Sequence, residues 1–368
     1  METQDLIDLV SCAVNGVTPD AERVAEMDLD AIYKLASRHK LAATVAPALK
    51  AAGVQDKRFV RALEHSALKS STMDMEMAAL FAELEAAGIW YMPLKGIVLQ
   101  HLYPIYGMRQ MSDHDILFDA KCADDVKSIM EGLGFSTEQF GLRNHDIYHK
   151  APVSNFEMHR SLFDPRQEEK LNEYYKDVEK RLLGDGCEKH FCPEDFYLYL
   201  TAHEYKHYSA EGTGLRSLLD IYVYLQKVTL DMDYVTAEAE KIGVAEFEAA
   251  NRSLALQLFS GGALTETNKE MLNYILDSGV NGTWNHRVQN RLSISGHGKI
   301  YYVLKRFAEP LDRKSPIYEE LSHEFPFFYK YKVLLPCLMV YRVFLRMKEG
   351  KLKKELKSLK NAKVCKKQ

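Results

Sequence analysis

An α+β fold that is predominantly helical, with a small mixed β-sheet embedded between helical regions, is what the sequence predicts. Three observations lead to it. Apolar residues recur every three and four positions through both ends of the chain, the period of an amphipathic helix. Between residues 87 and 163 that period gives way to short β-rich runs. No run of 18 apolar residues, no repeat of fixed period and no low-complexity linker interrupts the pattern. With 368 residues, 46% hydrophobic and 27% charged, the chain suffices for two or three packed units and does not read as disordered.

Residues 1–86 read as an N-terminal helical region. DLDAIYKLASRHKLAATVAPALKAAG and KRFVRALEHSALKSSTMDMEMAALFAELEAAG carry the helical period, and Gly53 and Gly88 stand where C-terminal helix stops belong. Residues 87–163 read as the sheet-bearing core. IWYMPL is a strand, Gly96 opens IVLQHLYPIYG as a helix, HDILF is a strand ending near Asp119, and CADDVKSIMEGLG is a helix. An extended stretch starts at Gly134 and Phe135, and two strands, DIYHKA and VSNFEMH, flank Pro152, which suits a turn or an edge. Residues 164–368 read as a C-terminal helical region with a basic tail, through DFYLYLTAHEYKHY, GLRSLLDIYVYLQKV and FFYKYKVLLPCLMVYRVFLRM. So small a sheet needs the helices to complete its core.

The first residues, METQDLIDLVSCAVNG, carry acids where a secretion signal would carry lysines, which predicts a cytoplasmic protein. Six cysteines, at 12, 122, 187, 192, 337 and 365, read as reduced structural thiols; Cys187 and Cys192 come close but lack the partners of a zinc site. The net charge of −4 hides an asymmetry: residues 342–368 hold eleven Lys or Arg against two Glu, leaving −13 for the remainder. This tail follows the apolar run VLLPCLMVYRVFL. It suits either a weak membrane-surface or nucleic-acid contact, or a docked core helix with a solvated, frayed end.

The candidate chemistry lies in the central segment. In SDHDILF, period-two alternation puts Asp113 and Asp115 on one face of a strand, a spacing that can hold a divalent cation through carboxylates. In VSNFEMH the same alternation puts Glu157 and His159 on one face, so Glu157 is the candidate third carboxylate. Lys95 and Gly96 precede a helix, and a glycine there lets phosphates approach the backbone N–H groups. Lys95 and Arg109 supply cationic partners for phosphate.

Together and in this order, Lys95, Gly96, Tyr103, Arg109, Asp113 and Asp115, followed by Glu157 and His159 in FEMHRSLF, resemble the nucleotidyltransferase superfamily of DNA polymerase β type. The likeness is to its bacterial family of uncharacterised nucleotidyltransferases, itself similar to abortive-infection toxin nucleotidyltransferases. It extends to His203, His207, Arg216 and Asp220, over roughly residues 30 to 345. The resemblance implies a nucleotidyltransferase core at residues 87–163. It also implies a transferase that binds a nucleoside triphosphate such as ATP, with Mg²⁺ or Mn²⁺ on Asp113, Asp115 and Glu157. Lys95, Gly96, Arg109 and His159 would contact the nucleotide or acceptor, and the acceptor, whether small molecule, saccharide, RNA or protein, is left open. Two positions depart from the superfamily pattern. Ile97 replaces a small residue that helps hold the terminal phosphates, and His114 replaces an apolar residue and should face away from the metal.

Two other readings compete. A nucleotide-binding or interaction module without catalysis, belonging to a biosynthetic or defence cluster, would suit Ile97. His203 to His207 spells HExxH, the two-histidine zinc motif of peptidases, without an evident third ligand. Arg216 and Asp220 read most simply as an i,i+4 pair or a bond to the adjoining helix, alternatively as lining of an acceptor cleft.

Overall fold

The computed structural model describes residues 1–280, 282–295, 298–313 and 315–362; Cys365 and the last six residues of the basic tail lie outside these. Five helices lead the chain: α1 (Glu2–Asn15), α2 (Ala21–Ala25), α3 (Leu29–Arg38), α4 (Ala42–Ala51) and α5 (Lys57–Ala86). Aspartates cap three of them, the Asp20, Asp28 and Asp56 carboxylates accepting first-turn N–H groups that no helical carbonyl can reach. Gly53 and Gly88 sit at φ 79° and 69° just past α4 and α5, the left-handed stops expected from sequence. The stretch 28–53 is two helices rather than one. Lys40 takes φ 55° between α3 and α4, and the Leu41 N–H turns back to Ala36 O.

The sheet follows. Strand β1 (Tyr91–Pro93) leads to α6 (Gly96–Leu99), then come β2 (His114–Phe118), α7 (Ala123–Gly132), β3 (Ser136–Gln139), β4 (His145–Lys150) and β5 (Ser154–His159). The helix expected through residue 107 is one α turn and a 3₁₀ turn ending at Leu102, because Pro104 cannot continue it. The strand order is β1-β2-β5-β4-β3. Only β2 and β5 are parallel; the other pairs are antiparallel, so the sheet is mixed, as expected.

One sheet face carries Ile116, Phe118, Tyr148, Phe156 and Met158 into a core completed by Leu80 and Leu84 of α5 and Val126 and Met130 of α7. Each such side chain contributes on the order of 1.5–3 kcal/mol on burial. The opposite face looks toward the C-terminal helices: α8 (Glu169–Tyr175), α9 (Pro193–Ala210), α10 (Leu215–Lys227), α11 (Met232–Ile242), α12 (Ala245–Phe259) and α13 (Glu266–Ser278). One apolar cluster runs from Leu6 of α1 through Leu117 of β2 to Ile275 of α13, joining both helical regions across the sheet. The architecture is α+β and predominantly helical.

Beyond it lie α14 (Trp284–Ser295), α15 (Lys299–Ala308), α16 (Pro316–Glu324), α17 (Pro326–Lys330), α18 (Leu335–Lys348) and α19 (Lys351–Asn361), with small apolar clusters of their own. The apolar run of α18 buries Leu335 and Leu338 but exposes Val340, Phe344 and Met347, so this helix is docked along one edge only. The basic segment after it is helical to Asn361 and packs on α14 and α18 rather than fraying from residue 349 onward. Among the described residues, no helix is long and apolar enough to cross a membrane. Cys12, Cys122, Cys187, Cys192 and Cys337 are free thiols, as expected for the five cysteines described.

Candidate active site

Sheet register assembles the site. Asp115 stands opposite Glu157 across the parallel β2–β5 pair, and His145 opposite His159 across the antiparallel β4–β5 pair. Directly paired residues share a face, so the same side of the sheet presents Asp115, Glu157, His159 and His145. His114, one position out of phase, is fully buried on the other face with its ring edge against Phe156. Helices α9 and α10 wall the acidic face, leaving a cleft of about 610 Å³ that contains Lys95, Asp113, Asp115, Glu157, His159 and His203. That volume is in the range of small-molecule sites.

Charge is concentrated there. Lys95 adopts φ 42° and ψ −110°, a conformation rarely taken by a side-chain-bearing residue. It aims Nζ at Asp115 Oδ1, 2.6 Å away, and at His203 Nε2, 3.2 Å away. An ammonium only donates, so His203 Nε2 is the acceptor in that contact. His159 Nε2 lies 2.9 Å from the same Asp115 oxygen. Burial would push the Asp115 carboxyl up, but Lys95 and His159 outweigh it and hold it well below the usual range. At Glu157 the balance goes the other way: burial, then Asp115 and Asp113, outweigh Lys95 and push its carboxyl up to about 7. Asp113 is raised as well, by burial and by Asp115. Three carboxylates in one half-dry cleft with two of them reluctant to ionise is an arrangement that a divalent cation relieves, and all-oxygen donors suit Mg²⁺ or Mn²⁺. Asp113, Asp115 and Glu157 line this cleft together, but among the described residues the group whose ligand atoms all come within 4.8 Å of one another is His145, Glu157 and His159.

Several expected contacts fall elsewhere. Arg109 is buried, and its fork is taken by Asp220 of α10, Nε and Nη2 each donating at 2.8 Å to a carboxylate oxygen. Tyr103 OH donates to the same carboxylate at 2.8 Å. Asp220 is thus spent on a loop beside β2 instead of pairing with Arg216, whose Nη1 donates to Gln110 O. Gly96 is required by that packing, since a Cβ there would lie 2.6 Å from Arg109 Nη1 and 2.8 Å from Met111 Cε. Ile97 is buried in the core under the sheet.

The HExxH residues separate. His203 and His207 face the cleft with their Nε2 atoms 3.3 Å apart, whereas Glu204 is buried and accepts from Asn251 Nδ2 of α12 at 2.8 Å. Lys95 already engages His203, so the glutamate and histidines do not form a peptidase-like set.

Three cleft-side residues escaped sequence reasoning. His145 could have been found by counting outward from Pro152: the hairpin pairs Lys150 with Ser154 and, five residues on, His145 with His159. Lys40 and Lys69 carried no such signal. They come from α3–α4 and α5 and donate to Ser112 Oγ at 3.2 Å and Ser112 O at 2.8 Å, beside Asp113. Burial, together with neighbouring cations, lowers both ammonium groups below their usual range.

Comparison with known proteins adds a family. No curated protein matches the chain. Among solved structures, an antigenic nucleotidyltransferase-like protein from Paracoccidioides brasiliensis is similar at 13% identity and a TM-score of 0.34, over 53% of this chain and 96% of its own. That likeness is too slight to bear on activity. The model of a family described as uncharacterised nucleotidyltransferase matches residues 25–260, a span that holds the sheet, α9, α10 and every residue of the cleft named above. The chain therefore belongs to the uncharacterised nucleotidyltransferase family.

Proposed function

We propose that the protein transfers a nucleoside monophosphate from a nucleoside triphosphate to a hydroxyl or phosphate acceptor, with release of pyrophosphate and dependence on Mg²⁺ or Mn²⁺. The observation that carries this reading is the convergence of Asp113, Asp115 and Glu157 in one cleft of a chain of this family. A divalent ion on these carboxylates would supply Lewis-acid stabilisation of charge on the phosphoryl oxygens. Lys95, poised on Asp115, supplies a compact positive charge to the same region, and Arg216 lines the far wall. Glu157, with its carboxyl near neutral pH, is suited to accept the acceptor's proton when ionised. Arg109 contributes by fixing the loop that leads into Asp113 through its bond to Asp220.

Purified protein given Mg²⁺ and labelled nucleoside triphosphates should release pyrophosphate or transfer label. Asp113→Asn and Asp115→Asn should each reduce that activity by about a hundredfold or more, the scale of losing a preorganised electrostatic contact. Undiminished turnover in the double variant overturns the proposal.

A second reading, nucleotide binding without turnover, is favoured by Lys95 Nζ standing 2.6 Å from the Asp115 oxygen that a cation would use. Calorimetry separates the two. Binding of nucleoside triphosphate that is equal with and without Mg²⁺, and absence of turnover, supports the module.

A further inference from the structure

We propose that His145, Glu157 and His159 form a transition-metal site, taking an ion of the Zn²⁺, Co²⁺ or Mn²⁺ class in preference to Mg²⁺. The inference deepens the reading of the same cleft and shares Glu157 with it, but it rests on a different donor set.

The geometry comes from the β4–β5 hairpin. His145 and His159 face each other across the ladder, their ring centroids 5.0 Å apart, and Glu157 lies two residues before His159 on the same face. His145 Nε2 is 3.6 Å from Glu157 Oε2 and His159 Nε2 is 3.7 Å from it, and one ligand atom from each of the three lies within 4.8 Å of the others. Ligands about 2.0–2.1 Å from a tetrahedral zinc ion stand about 3.3 Å apart, so two edges of the triangle are already close to the spacing of a bound metal. The third edge, between the imidazoles, is at most 4.8 Å.

An independent observation fixes the ligand atom of His145. Its Nδ1 lies 3.3 Å from Asn144 Oδ1, and the Asn144 amide is itself oriented by donating to Ser161 O at 3.1 Å. An amide oxygen only accepts, so Nδ1 carries the proton and the lone pair is on Nε2, facing Glu157. A lone pair aimed at a carboxyl group is accommodated by a proton on Glu157 or by a cation between them, and a metal ion that displaces that proton takes up both donors. A side chain that holds the non-ligating imidazole N–H is also the usual support of a metal-bound histidine. Two imidazoles with carboxylate are donors for borderline transition metals, whereas Mg²⁺ prefers oxygen alone. Asp115 Oδ1 accepts from His159 Nε2 at 2.9 Å, so ligation through this nitrogen exchanges that bond for the ion and moves the ring proton to Nδ1, leaving Asp115 as a further oxygen donor.

The test uses the full chain, stripped with a chelator, and metal ions alone without nucleotide or acceptor. Titration with Co²⁺ should give a visible absorption band of imidazole-ligated cobalt, and Zn²⁺ should displace it, while millimolar Mg²⁺ should not. His145→Ala and His145→Gln should weaken Co²⁺ and Zn²⁺ binding by about a hundredfold, and Asn144→Ala by about tenfold. Circular dichroism identifies a folded variant, and the Gln substitution guards against loss of the strand. The rival location is the helix pair, so His203→Ala combined with His207→Ala is measured alongside. Retained Co²⁺ binding in that variant supports the hairpin site. Loss of binding there with retention in both His145 variants overturns it, as does equal affinity for Mg²⁺ and Zn²⁺. Because no turnover is read, failure leaves the transfer reading intact, and an inactive protein that still binds Co²⁺ through His145 counts only against transfer.

Discussion

At the scale of single residues, the cleft combines charges that are paired, Lys95 with Asp115 and Arg109 with Asp220, with carboxyls that are not, Asp113 and Glu157. Arg109 and Asp220 illustrate the cost of such an arrangement. Both are buried, their contact is bidentate, and each exists in a place where an isolated charge is expensive. Asp220→Ala should lower stability by about 3–5 kcal/mol, because it leaves the guanidinium without its carboxylate. Replacing both residues, as Arg109→Met with Asp220→Leu, should recover most of that loss in a urea titration. Recovery of stability without recovery of activity would place this pair in positioning the Asp113 loop rather than in holding the fold. A single variant as stable as the parent contradicts the buried-pair account.

At the scale of elements, the turn between β1 and α6 and the contact between α9 and α12 carry the strongest expectations. Gly96 has Arg109 and Met111 where a side chain would go, so Gly96→Ala should cost about 1–3 kcal/mol through overpacking and should lower turnover by displacing Arg109. Thermal melting and pyrophosphate release read the two effects separately. On α9, burial pushes the Glu204 carboxyl up to about 8, its bond from Asn251 notwithstanding. The unfolded chain releases this proton near the ordinary value of 4.5, so the folded chain binds the extra proton between about pH 4.5 and 8. Stability from this group is therefore greatest at low pH and falls as pH rises through that window. Glu204→Gln should remove this slope, melting above the parent at pH 8.5 and close to it at pH 5. A parent and variant with parallel melting profiles would count against the protonated, buried carboxyl.

At the scale of the whole molecule, one apolar cluster from Leu6 to Ile275 joins the helices before and after the sheet, and among the described residues none from 299 onward belongs to it. Helix α14 is bonded to the main body, Asn290 Nδ2 donating to Tyr274 OH at 2.7 Å and to Ala210 O at 3.2 Å. A chain ending after Ser295 should therefore fold with a melting temperature within a few degrees of the parent and keep its nucleotide turnover. It loses the packing of α14 on α19 and α15 and the Arg346 guanidinium over the Trp284 ring. Loss of cooperative melting in this shortened chain would show that the last helices complete the core.

Periodicity and local chemistry were enough to identify the helices and the mixed sheet between them, and to place Asp113, Asp115 and Glu157 on the side that lines the cleft, because those features depend on spacing along one or two strands. The left-handed stops at Gly53 and Gly88 were legible for the same reason. The break at Lys40 was not, since nothing local marks a lysine for positive φ; its side chain reaches Ser112, 72 residues away in the chain. Nor could spacing reveal that Arg109 binds Asp220 from 111 residues away, or that Glu204 would part from His203 and His207 by bonding to α12. His145 stands between these cases: the hairpin register contains it, but only pairing with β5 brings it to Glu157. Short-range pattern specifies which groups share a face, whereas the packing of one element on another decides which charge each of them meets, and in a buried cleft that meeting sets protonation, orientation and the ion that can bind.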